Sequence, residues 1–387
     1  MPDKTIVMGA TVPATVKAFL IDQAYFISQH GWYVHIVTSP GPEMVDLRRT
    51  VANWSRVTLH EIPMERNPSP LKDLRAIAAW IRLLRKIGPQ VVIVGTPKAA
   101  LLGILSSRVL GTRDRVYLVR GLRLEGQKGI AAHIGALIER VTCLASTNVL
   151  CNSKSLEKMM VLRHFVPPKK VQVLGYGSSN GVGVDKFHPP SKTQRNAARR
   201  EFGIDEDTLV VGFAGRLTLD KGLEEILAAI AIVQVGQPDV RLLIAGDWDS
   251  GKLPPEVIKS VVGDSCVVFA GRVEDMVIFF HALDVFCLPS YREGMPNVNL
   301  EAASCGLPVV TTTATGCIDS VVSGLTGLTV APRDYKALAE SLLILLSDSD
   351  KRTALGLNGR SWVIKEFRQE DVWGKQLKFL DSLIPKE

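Results

Sequence analysis

The stretch LVVGFAGRLTLDKGLEEIL, residues 209–227, decides the fold of the second half of the chain. Its apolar beginning, residues 209–214, predicts a buried strand, and the pattern over residues 223–235 predicts a helix. The loop between them carries Arg216 and Lys221 just beyond the carboxyl end of the strand, where open α/β sheets bind ligands. Two cations beside a helix N-terminus favour an anion such as a diphosphate. The alternative is a pair of solvated loop charges.

Strand and helix patterns alternate along the whole chain and predict two doubly wound α/β domains. A length of 387 residues suits two hydrophobic cores. A segment over residues 178–195, rich in Gly, Ser and Pro, predicts the linker. We expect an N-terminal domain over residues 1–185, a C-terminal domain over 196–365, and a closing helix over 366–387 that packs back on the N-terminal domain. The predicted strands cover residues 5–8, 33–38, 57–59, 91–95, 115–119, 147–151, 209–214, 241–245, 266–269, 285–288 and 308–312, and the first predicted helix covers 14–29.

Composition and charge restrict the class of protein. Lys plus Arg is 46 and Asp plus Glu is 39, so the formal net charge of +7 favours anionic partners. The sequence has neither a run of about 18 apolar residues nor the pattern of a signal peptide, so we expect a cytoplasmic protein. The six cysteines form no C-x-x-C pair and the seven histidines no H-x-x-x-H pair, which predicts reduced thiols, no metal site and no cofactor.

A second informative stretch is SYREGMPNVNLEAASCGLPVV, residues 290–310. Pro296 suits the first turn of a helix and Gly306 its C-terminal cap. The backbone amides of residues 294–298 are therefore expected at a helix start, where they can meet a phosphate or a sugar. Glu293 precedes this helix and Glu301 lies about one turn inside it. Because ionised carboxylates only accept hydrogen bonds, the two acids suit sugar and ribose hydroxyls, although each alone also fits a surface position.

Together the two stretches resemble the retaining glycosyltransferases of family 4, which have the GT-B fold of two Rossmann-like domains facing a central cleft. The resemblance rests on GRL-x-x-x-KG and E-G-x-P-x-x-x-x-E-A-x-x-x-G-x-PVV and covers residues 205–333. It implies that Arg216 and Lys221 contact the donor diphosphate and Glu293 the transferred sugar, which makes these three the expected catalytic residues. The donor-binding set that it implies is Gly215, Arg216, Lys221, Arg272, Glu293, Gly294, Met295, Pro296, Asn297, Val298 and, at the ribose, Glu301.

The chain departs from the family pattern at two places. It carries Asp247, Trp248 and Asp249 where the family often has a glycine pair, and Asp319 where the family has a Glu. The side chain of Asp319 is one methylene shorter than that of a Glu.

The N-terminal half is expected to hold the acceptor. Lys98 lies where a predicted strand meets a helix start, a place that suits a phosphate, although a surface lysine is the alternative. TPKAALLG, LVRGLR and GSSNGVGVDKF resemble family members that extend sugars on polyprenyl diphosphates in bacterial surface polysaccharide or glycan assembly. The resemblance implies Lys98, Arg120 and Arg123 as acceptor-binding residues. Arg120 stands where many members have a His that is assigned to the sugar or its 6-hydroxyl.

A helix predicted over residues 71–87 separates apolar from basic side chains, with Lys72, Arg75, Arg82 and Lys86 on its basic side. Such a side suits solvent or acidic lipid headgroups. A lipid-linked acceptor would explain both the basic residues and a peripheral contact with the inner face of the plasma membrane.

The sequence thus predicts a retaining, metal-independent hexosyltransferase. It would move a hexose or N-acetylhexosamine from a nucleotide-diphosphate sugar, with UDP as the expected nucleotide, to a polyprenyl-diphosphate-linked sugar. A transferase with a soluble acceptor and a UDP-sugar epimerase are the alternatives. GSSNG fits G-x-S-x-G, but no helix is predicted after Ser179, which argues against a serine hydrolase. The three D-x-D tripeptides are scattered along the chain and do not indicate a metal site. The basic residues are dispersed and form no nucleic-acid-binding motif, which argues against binding of nucleic acid.

Overall fold

The computed structural model describes residues 4–65, 69–122, 129–249 and 253–385. Its contacts divide the chain into two compact units, the first comprising residues 1–180 and 370–387 and the second residues 181–369. The chain enters the second unit inside the segment predicted as the linker. Each unit contains one parallel sheet with helices on both faces, as the alternating pattern predicts.

The first unit contains a seven-stranded sheet in the order β3-β2-β1-β4-β5-β6-β7, and every strand pair in it is parallel. Its strands are β1 (Lys4–Gly9), β2 (Trp32–Thr38), β3 (Val57–Glu61), β4 (Val91–Gly95), β5 (Asp114–Val119), β6 (Asn148–Cys151) and β7 (Val171–Val173). Its helices are α1 (Pro13–Phe19), α2 (Ile21–Gln29), α3 (Met44–Val51), α4 (Pro70–Ile87), α5 (Pro97–Val109), α6 (Gly129–Ala145) and α7 (Lys154–Leu162).

Both faces of this sheet are buried, which explains why its strands read as continuous apolar runs. In β1, Ile6 and Met8 belong to the core on one face and Val7 to the core on the other. Trp80 of α4 belongs to the same core as Val7. The apolar side of α4 therefore packs against the sheet, while its basic residues are exposed. From Ile77 onward the apolar side chains on this side of α4 are buried or half-buried, whereas Leu74 is 63% exposed.

The single helix predicted over residues 14–29 is wrong in one respect. Leu20 has φ of −116° and ψ of −30°, so it ends α1 and precedes α2 instead of continuing one helix. The Leu20 side chain is 4% exposed. Its burial lets the chain turn there without a Gly or Pro, and the sequence therefore contains no break signal.

The last helix of the chain, α15 (Gln369–Leu383), contributes nearly all of its length to the first unit. Trp373 Nε1 donates to Asn180 Oδ1 at 2.8 Å, and Lys4 Nζ donates to Asp381 Oδ1 at 2.7 Å. Leu380 is fully buried in the core that also contains Ile6. These contacts anchor α15 on the first sheet.

The second unit contains a six-stranded parallel sheet in the order β10-β9-β8-β11-β12-β13. Its strands are β8 (Val210–Ala214), β9 (Arg241–Ala245), β10 (Val267–Gly271), β11 (Val285–Leu288), β12 (Val309–Thr312) and β13 (Gly327–Val330). Its helices are α8 (Lys192–Glu201), α9 (Leu223–Gly236), α10 (Pro255–Gly263), α11 (Met276–His281), α12 (Asn297–Ser304), α13 (Tyr335–Ser347) and α14 (Ser349–Glu366).

The linker predicted over residues 178–195 extends too far, because α8 begins at Lys192. Ser191 and Gln194 form a capping box: Gln194 N donates to Ser191 Oγ at 3.3 Å, and Ser191 N donates to Gln194 Oε1 at 2.9 Å. Arg199 of α8 is 1% exposed and donates to Asp284 Oδ2 at 2.8 Å. The capping box and this buried ion pair make α8 an integral part of the second unit.

All six cysteines are buried and none forms a disulfide. Among the described helices, none is both long enough and apolar enough to cross a bilayer.

Candidate active site

The site lies at the switch point of the second sheet, between β8 and β11. These strands are neighbours in the sheet although β9 and β10 lie between them in sequence. Loops that leave the carboxyl ends of two such strands run in opposite directions and open a crevice, which is where doubly wound sheets bind ligands. The two loops cover residues 215–222 and 289–296, and they carry most of the predicted donor-binding residues.

The two loops approach closely because Gly occupies the contact points. Gly222 has φ of 76°, and a Cβ at this position would lie 2.2 Å from the Pro289 carbonyl oxygen. A Cβ on Gly316 would lie 2.5 Å from the Gly294 carbonyl oxygen. A side chain at Gly222 would push the two loops apart, and one at Gly316 would push the segment after β12 away from the second loop.

Asp220 joins the loops through hydrogen bonds that the sequence did not reveal. Its carboxylate accepts from Thr218 Oγ1 at 2.6 Å and from Arg292 Nη2 at 2.8 Å. Its carbonyl accepts from Tyr291 N at 2.9 Å and from Ser290 Oγ at 3.0 Å. Burial acts to raise the pKa of Asp220, but the Thr218 hydroxyl and the Arg292 guanidinium lower it below its usual value. Asp220 therefore stays ionised and aligns the two loops.

Lys221 and Glu293, predicted on separate loops, form an ion pair between Nζ and Oε1. Their side chains are 18% and 15% exposed, so the pair is largely withdrawn from water. Glu293 N also donates to the Thr315 carbonyl at 2.8 Å, which anchors its backbone. The structure thus brings together the cation assigned to the diphosphate and the carboxylate assigned to the sugar.

Arg216 and Arg272 lie at an exposed edge of the same site. Arg216 Nη1 is 3.8 Å from Asp249 Oδ2, and Arg272 Nη1 is 3.5 Å from Asp247 Oδ2. The two arginine side chains are 69% and 75% exposed, and exposed ion pairs of this kind are weak. Both guanidinium groups can therefore exchange a carboxylate for a ligand phosphate at small cost. The two aspartates belong to the segment that departs from the family pattern.

The start of α12 supplies the remaining predicted donor residues. Pro296 is its N-cap residue and provides no side-chain cap, while Met295 and Pro296 are buried and Asn297 and Val298 are half-buried. Glu301 is half-buried one turn further on, and burial raises the pKa of its carboxyl to about 7 against the opposing charge of Lys186. A carboxyl with this pKa is partly protonated near neutral pH, so its hydrogen bonding responds to pH.

The predicted acceptor residues fall in the first unit and behave differently from one another. Lys98 Nζ binds Asp73 Oδ2 at 2.6 Å, and the Lys98 side chain is 10% exposed. Arg120 follows β5 and has the Phe19 ring centroid 5.3 Å from its Cζ atom. Arg123 lies outside the described residues. The structure does not bring Lys98 and Arg120 into a shared hydrogen bond.

Within the described ranges, no group of three or more His, Cys, Asp or Glu side chains is arranged to hold a metal ion. Among the described residues, Arg216, Lys221 and Arg292 supply positive charge at the switch point of the second sheet, Arg333 lies over the Tyr291 ring, and Arg272 lies further along the same sheet edge, after β10. A doubly wound unit with such cations beside acids that suit hydroxyl groups, joined to a second doubly wound unit, defines the class of sugar-nucleotide-dependent glycosyltransferases.

Comparison with known proteins agrees with this class. The family described as "Glycosyl transferases group 1" matches residues 194–362, and the "Glycosyl transferase 4-like domain" matches residues 24–177. The capsular polysaccharide biosynthesis glycosyltransferase CapM of Staphylococcus aureus is 33% identical over 366 residues, covering 94% of this chain and 93% of CapM. The chain therefore belongs to the group 1 glycosyltransferases, and the epimerase alternative is set aside.

Two further similarities bear on the fold and on the proposals below. An Escherichia coli enzyme named UDP-Gal:alpha-D-GlcNAc-diphosphoundecaprenol alpha-1,3-galactosyltransferase is 26% identical over 309 residues, covering 78% of each chain. Anabaena Alr3699/HepE, solved with UDP and glucose, matches with a TM-score of 0.81 at 19% identity, covering 98% of this chain and 100% of that one. The predicted GT-B fold is confirmed.

Proposed function

We propose that this glycosyltransferase moves a hexose or N-acetylhexosamine from a UDP-sugar to a sugar carried on a polyprenyl diphosphate, with retention of anomeric configuration, in polysaccharide or glycan assembly. The observation that carries the proposal is the group of Lys221, Glu293 and Arg216 at the switch point of the second sheet. The E. coli relative, whose name specifies a UDP-sugar donor and a diphosphoundecaprenol acceptor, supports the choice of substrates.

The proposed donor binding exchanges protein carboxylates for phosphate oxygens. Arg216, held weakly by Asp249, turns to the diphosphate, and Lys221 shares its charge between the diphosphate and Glu293. Glu293 then accepts hydrogen bonds from hydroxyls of the transferred sugar, and Glu301 accepts them from the ribose. The exchange needs no movement of the backbone that Asp220 and Gly222 hold together.

The proposed chemistry relies on the leaving group. When the bond between the anomeric carbon and the diphosphate breaks, negative charge grows on the diphosphate, and preorganised cations stabilise it. The acceptor hydroxyl attacks from the side on which the diphosphate departs, and a phosphate oxygen takes its proton, so configuration is retained without a base from the protein. Because Arg216 and Lys221 supply the charge, the reaction is proposed to be independent of a divalent metal.

A lipid-linked acceptor implies contact with a membrane, and we place this contact on α6. Five large apolar residues on α6 are exposed at spacings of four and three residues, which aligns them on one face of the helix: Ile130, Ile134, Leu137, Val141 and Leu144. Cations surround the end of this face, because Arg140 is exposed on α6 while Lys170 and Arg108 donate to its terminal carbonyls. An apolar stripe with a basic border fits an anionic bilayer. The reaction would then take place at the inner face of the plasma membrane.

Transfer of labelled sugar from UDP-sugars to a short polyprenyl-diphosphate-linked N-acetylglucosamine tests the proposal. Arg216→Ala is expected to lower kcat/KM by about 10²- to 10³-fold, the usual cost of losing one donor to a developing anion. Arg200→Ala, which removes an exposed arginine of α8, is the matched control and should retain activity. NMR of the product should show a retained anomeric configuration, and EDTA should leave the rate unchanged. Near wild-type turnover by folded Arg216→Ala protein would contradict the assignment.

The membrane contact has its own test. Wild-type protein should co-sediment with vesicles of phosphatidylglycerol and phosphatidylcholine, and Leu137→Glu should reduce the bound fraction severalfold. Leu357→Glu replaces an equally exposed leucine of α14 and serves as control. If Leu137→Glu instead changed the oligomeric state and left vesicle binding intact, α6 would be an interface between copies of the chain.

A further inference from the structure

Arg120 is a buried cation without a described partner. Its Nε, Nη1 and Nη2 atoms are all buried, and none of them has a hydrogen-bond partner among the described residues. Burial lowers the pKa of Arg120 to about 10, which still leaves the guanidinium charged at neutral pH. Proteins rarely bury an ion unless a counter-charge and hydrogen bonds compensate for its lost hydration. Arg120 therefore has an unmet requirement for an anionic acceptor.

The position of Arg120 is that of a ligand site. It follows β5, and its Nε would lie 3.6 Å from a Cβ on Gly95, the last residue of β4. β4 and β1 are adjacent in the sheet although β2 and β3 separate them in sequence, so the guanidinium, beside the end of β4, lies next to the switch point of the first sheet. α5 begins at Pro97, two residues after Gly95. Thr96 gives it no side-chain cap, but the Thr11 hydroxyl accepts from Ala99 N at 3.2 Å, so Lys98 N is the first-turn amide that remains for a ligand. The positive end of this helix and the unpartnered guanidinium thus meet at one place.

The turn between β4 and α5 is held in an unusual conformation beside Arg120. Thr96 has φ of 70°, a left-handed value that a β-branched residue rarely adopts. Its hydroxyl accepts from Thr11 N at 3.0 Å and lies 2.8 Å from the Thr11 hydroxyl oxygen, so the residues that follow β1 hold the turn. Backbone strain of this kind persists where surrounding contacts enforce it, and it concentrates at functional sites.

Lys98 does not complete this site. Its Nζ contacts both carboxylate oxygens of Asp73, at 2.8 Å and 2.6 Å, in a nearly buried pair. The charge of Lys98 is therefore already compensated, whereas that of Arg120 is not. The two cations, which the sequence analysis assigned to one acceptor site, have different roles in the structure.

We propose that Arg120 and the N-terminus of α5 form a subsite that binds a phosphate group of one substrate. This inference rests on the proposed function, in which donor and acceptor both carry phosphate. The guanidinium presents five N–H donors in a planar fork, a geometry that matches phosphate oxygens. The Phe19 ring lies over the guanidinium, while the N–H groups that would bind the phosphate point outward in the guanidinium plane.

Thermal unfolding of the full chain in inorganic phosphate, against chloride of equal ionic strength, tests the subsite. Arg120→Met keeps an unbranched stem and removes the guanidinium with its charge, and Arg49→Met, at an exposed position of α3, is the matched control. Phosphate should raise the Tm of wild type and of Arg49→Met by several degrees more than that of Arg120→Met, because the variant retains only the general stabilising effect of phosphate. The dissociation constant for phosphate should rise at least tenfold in Arg120→Met. In chloride, Arg120→Met should melt no lower than wild type, since it removes an uncompensated buried charge.

Saturating UDP identifies which substrate carries the phosphate. If phosphate still raises the Tm of wild type in UDP, and Arg120→Met abolishes that rise, the group belongs to the acceptor. If UDP removes the phosphate effect and binds Arg120→Met at least tenfold more weakly, the group belongs to the donor. An equal phosphate effect in wild type and Arg120→Met would overturn the subsite. Because this measurement needs no transfer, a protein that binds phosphate through Arg120 but transfers no sugar would refute the proposed function alone.

Discussion

The ion pair between Lys221 and Glu293 supports a quantitative prediction about the donor site. Two unit charges about 4 Å apart attract by about 4 kcal/mol at an effective dielectric constant of about 20. The side chains are 18% and 15% exposed, so both have lost much of their hydration, and this desolvation offsets part of the attraction. We expect a net coupling free energy of about 1 to 2 kcal/mol, within the range of measured contacts between neighbouring residues.

A double-mutant cycle measures this coupling. Lys221→Met and Glu293→Gln are made singly and together, and the free energy of unfolding is obtained from urea denaturation of each protein. Each single change should cost about 1 to 3 kcal/mol, because it leaves the other charge largely buried and unpaired. The double variant should lose less free energy of unfolding than the two single variants together, and the difference is the coupling free energy. A parallel cycle on Arg272 and Asp247, an exposed pair, should give a coupling below about 0.5 kcal/mol.

Activity separates the structural role of the pair from its role in the reaction. Relative to the sum of the single changes, the double variant should regain part of its free energy of unfolding. It should regain none of its kcat/KM, because both side chains are proposed to contact the donor. A coupling near zero in the Lys221 and Glu293 cycle would show that the pair does not form in solution. The proposed exchange of Glu293 for phosphate oxygens at Lys221 would then be wrong.

Three other predictions follow from charges of described residues. Since burial raises the pKa of Glu301 to about 7, the affinity for the donor should fall by up to about tenfold per pH unit below pH 7. In calorimetric titration, Glu301→Gln should bind the donor more weakly than wild type, with an affinity that does not depend on pH. Asp284→Asn leaves Arg199, 1% exposed, without its carboxylate and should cost about 3 kcal/mol in urea denaturation, whereas Asp205→Asn, on the surface, should cost below about 0.5 kcal/mol. Burial lowers the pKa of His60 from 6.5 to about 4, helped by His35; the unfolded chain therefore binds more protons in this window, and the unfolding free energy should decrease as pH falls through it. His60→Gln should flatten that decrease.

The strand and helix positions around the donor site could be predicted because local signals agree there. The strand predicted over residues 209–214 is β8 (Val210–Ala214), and the helix predicted from residue 223 is α9, which begins at Leu223. A buried parallel strand must be apolar on both faces, and Gly222 marks the left-handed turn before the helix. The sequence pattern and the fold have the same physical cause at this place.

The partners of the charged residues could not be predicted, because they depend on which strands are neighbours. Lys221 meets Glu293, and Asp220 meets Arg292, only because β11 lies beside β8 in the sheet. Strand order is a property of the whole unit, and no pattern inside either loop encodes it. One missed element was within reach of sequence analysis: Ser191 and Gln194 have the spacing of a capping box, which marks the start of α8.

The two switch points differ in how their charges are compensated, and this difference bears on their roles. At the second sheet Lys221, Arg216, Arg272 and Arg292 each have a carboxylate within reach, while Arg333 lies over the Tyr291 ring. A site built this way is stable without a ligand, and in the proposed function it would bind a diphosphate by exchange, with modest net gain and fast release. At the first sheet Arg120 has no hydrogen-bond partner within the part of the chain that the structure describes, so a phosphate bound there would offset the desolvation cost of the buried charge. Binding of a phosphate at Arg120 should therefore raise the free energy of unfolding more than binding of a phosphate at the donor loops. The phosphate-dependent rise in Tm should accordingly be smaller in Arg120→Met than in Arg216→Met, and the reverse order would contradict this expectation.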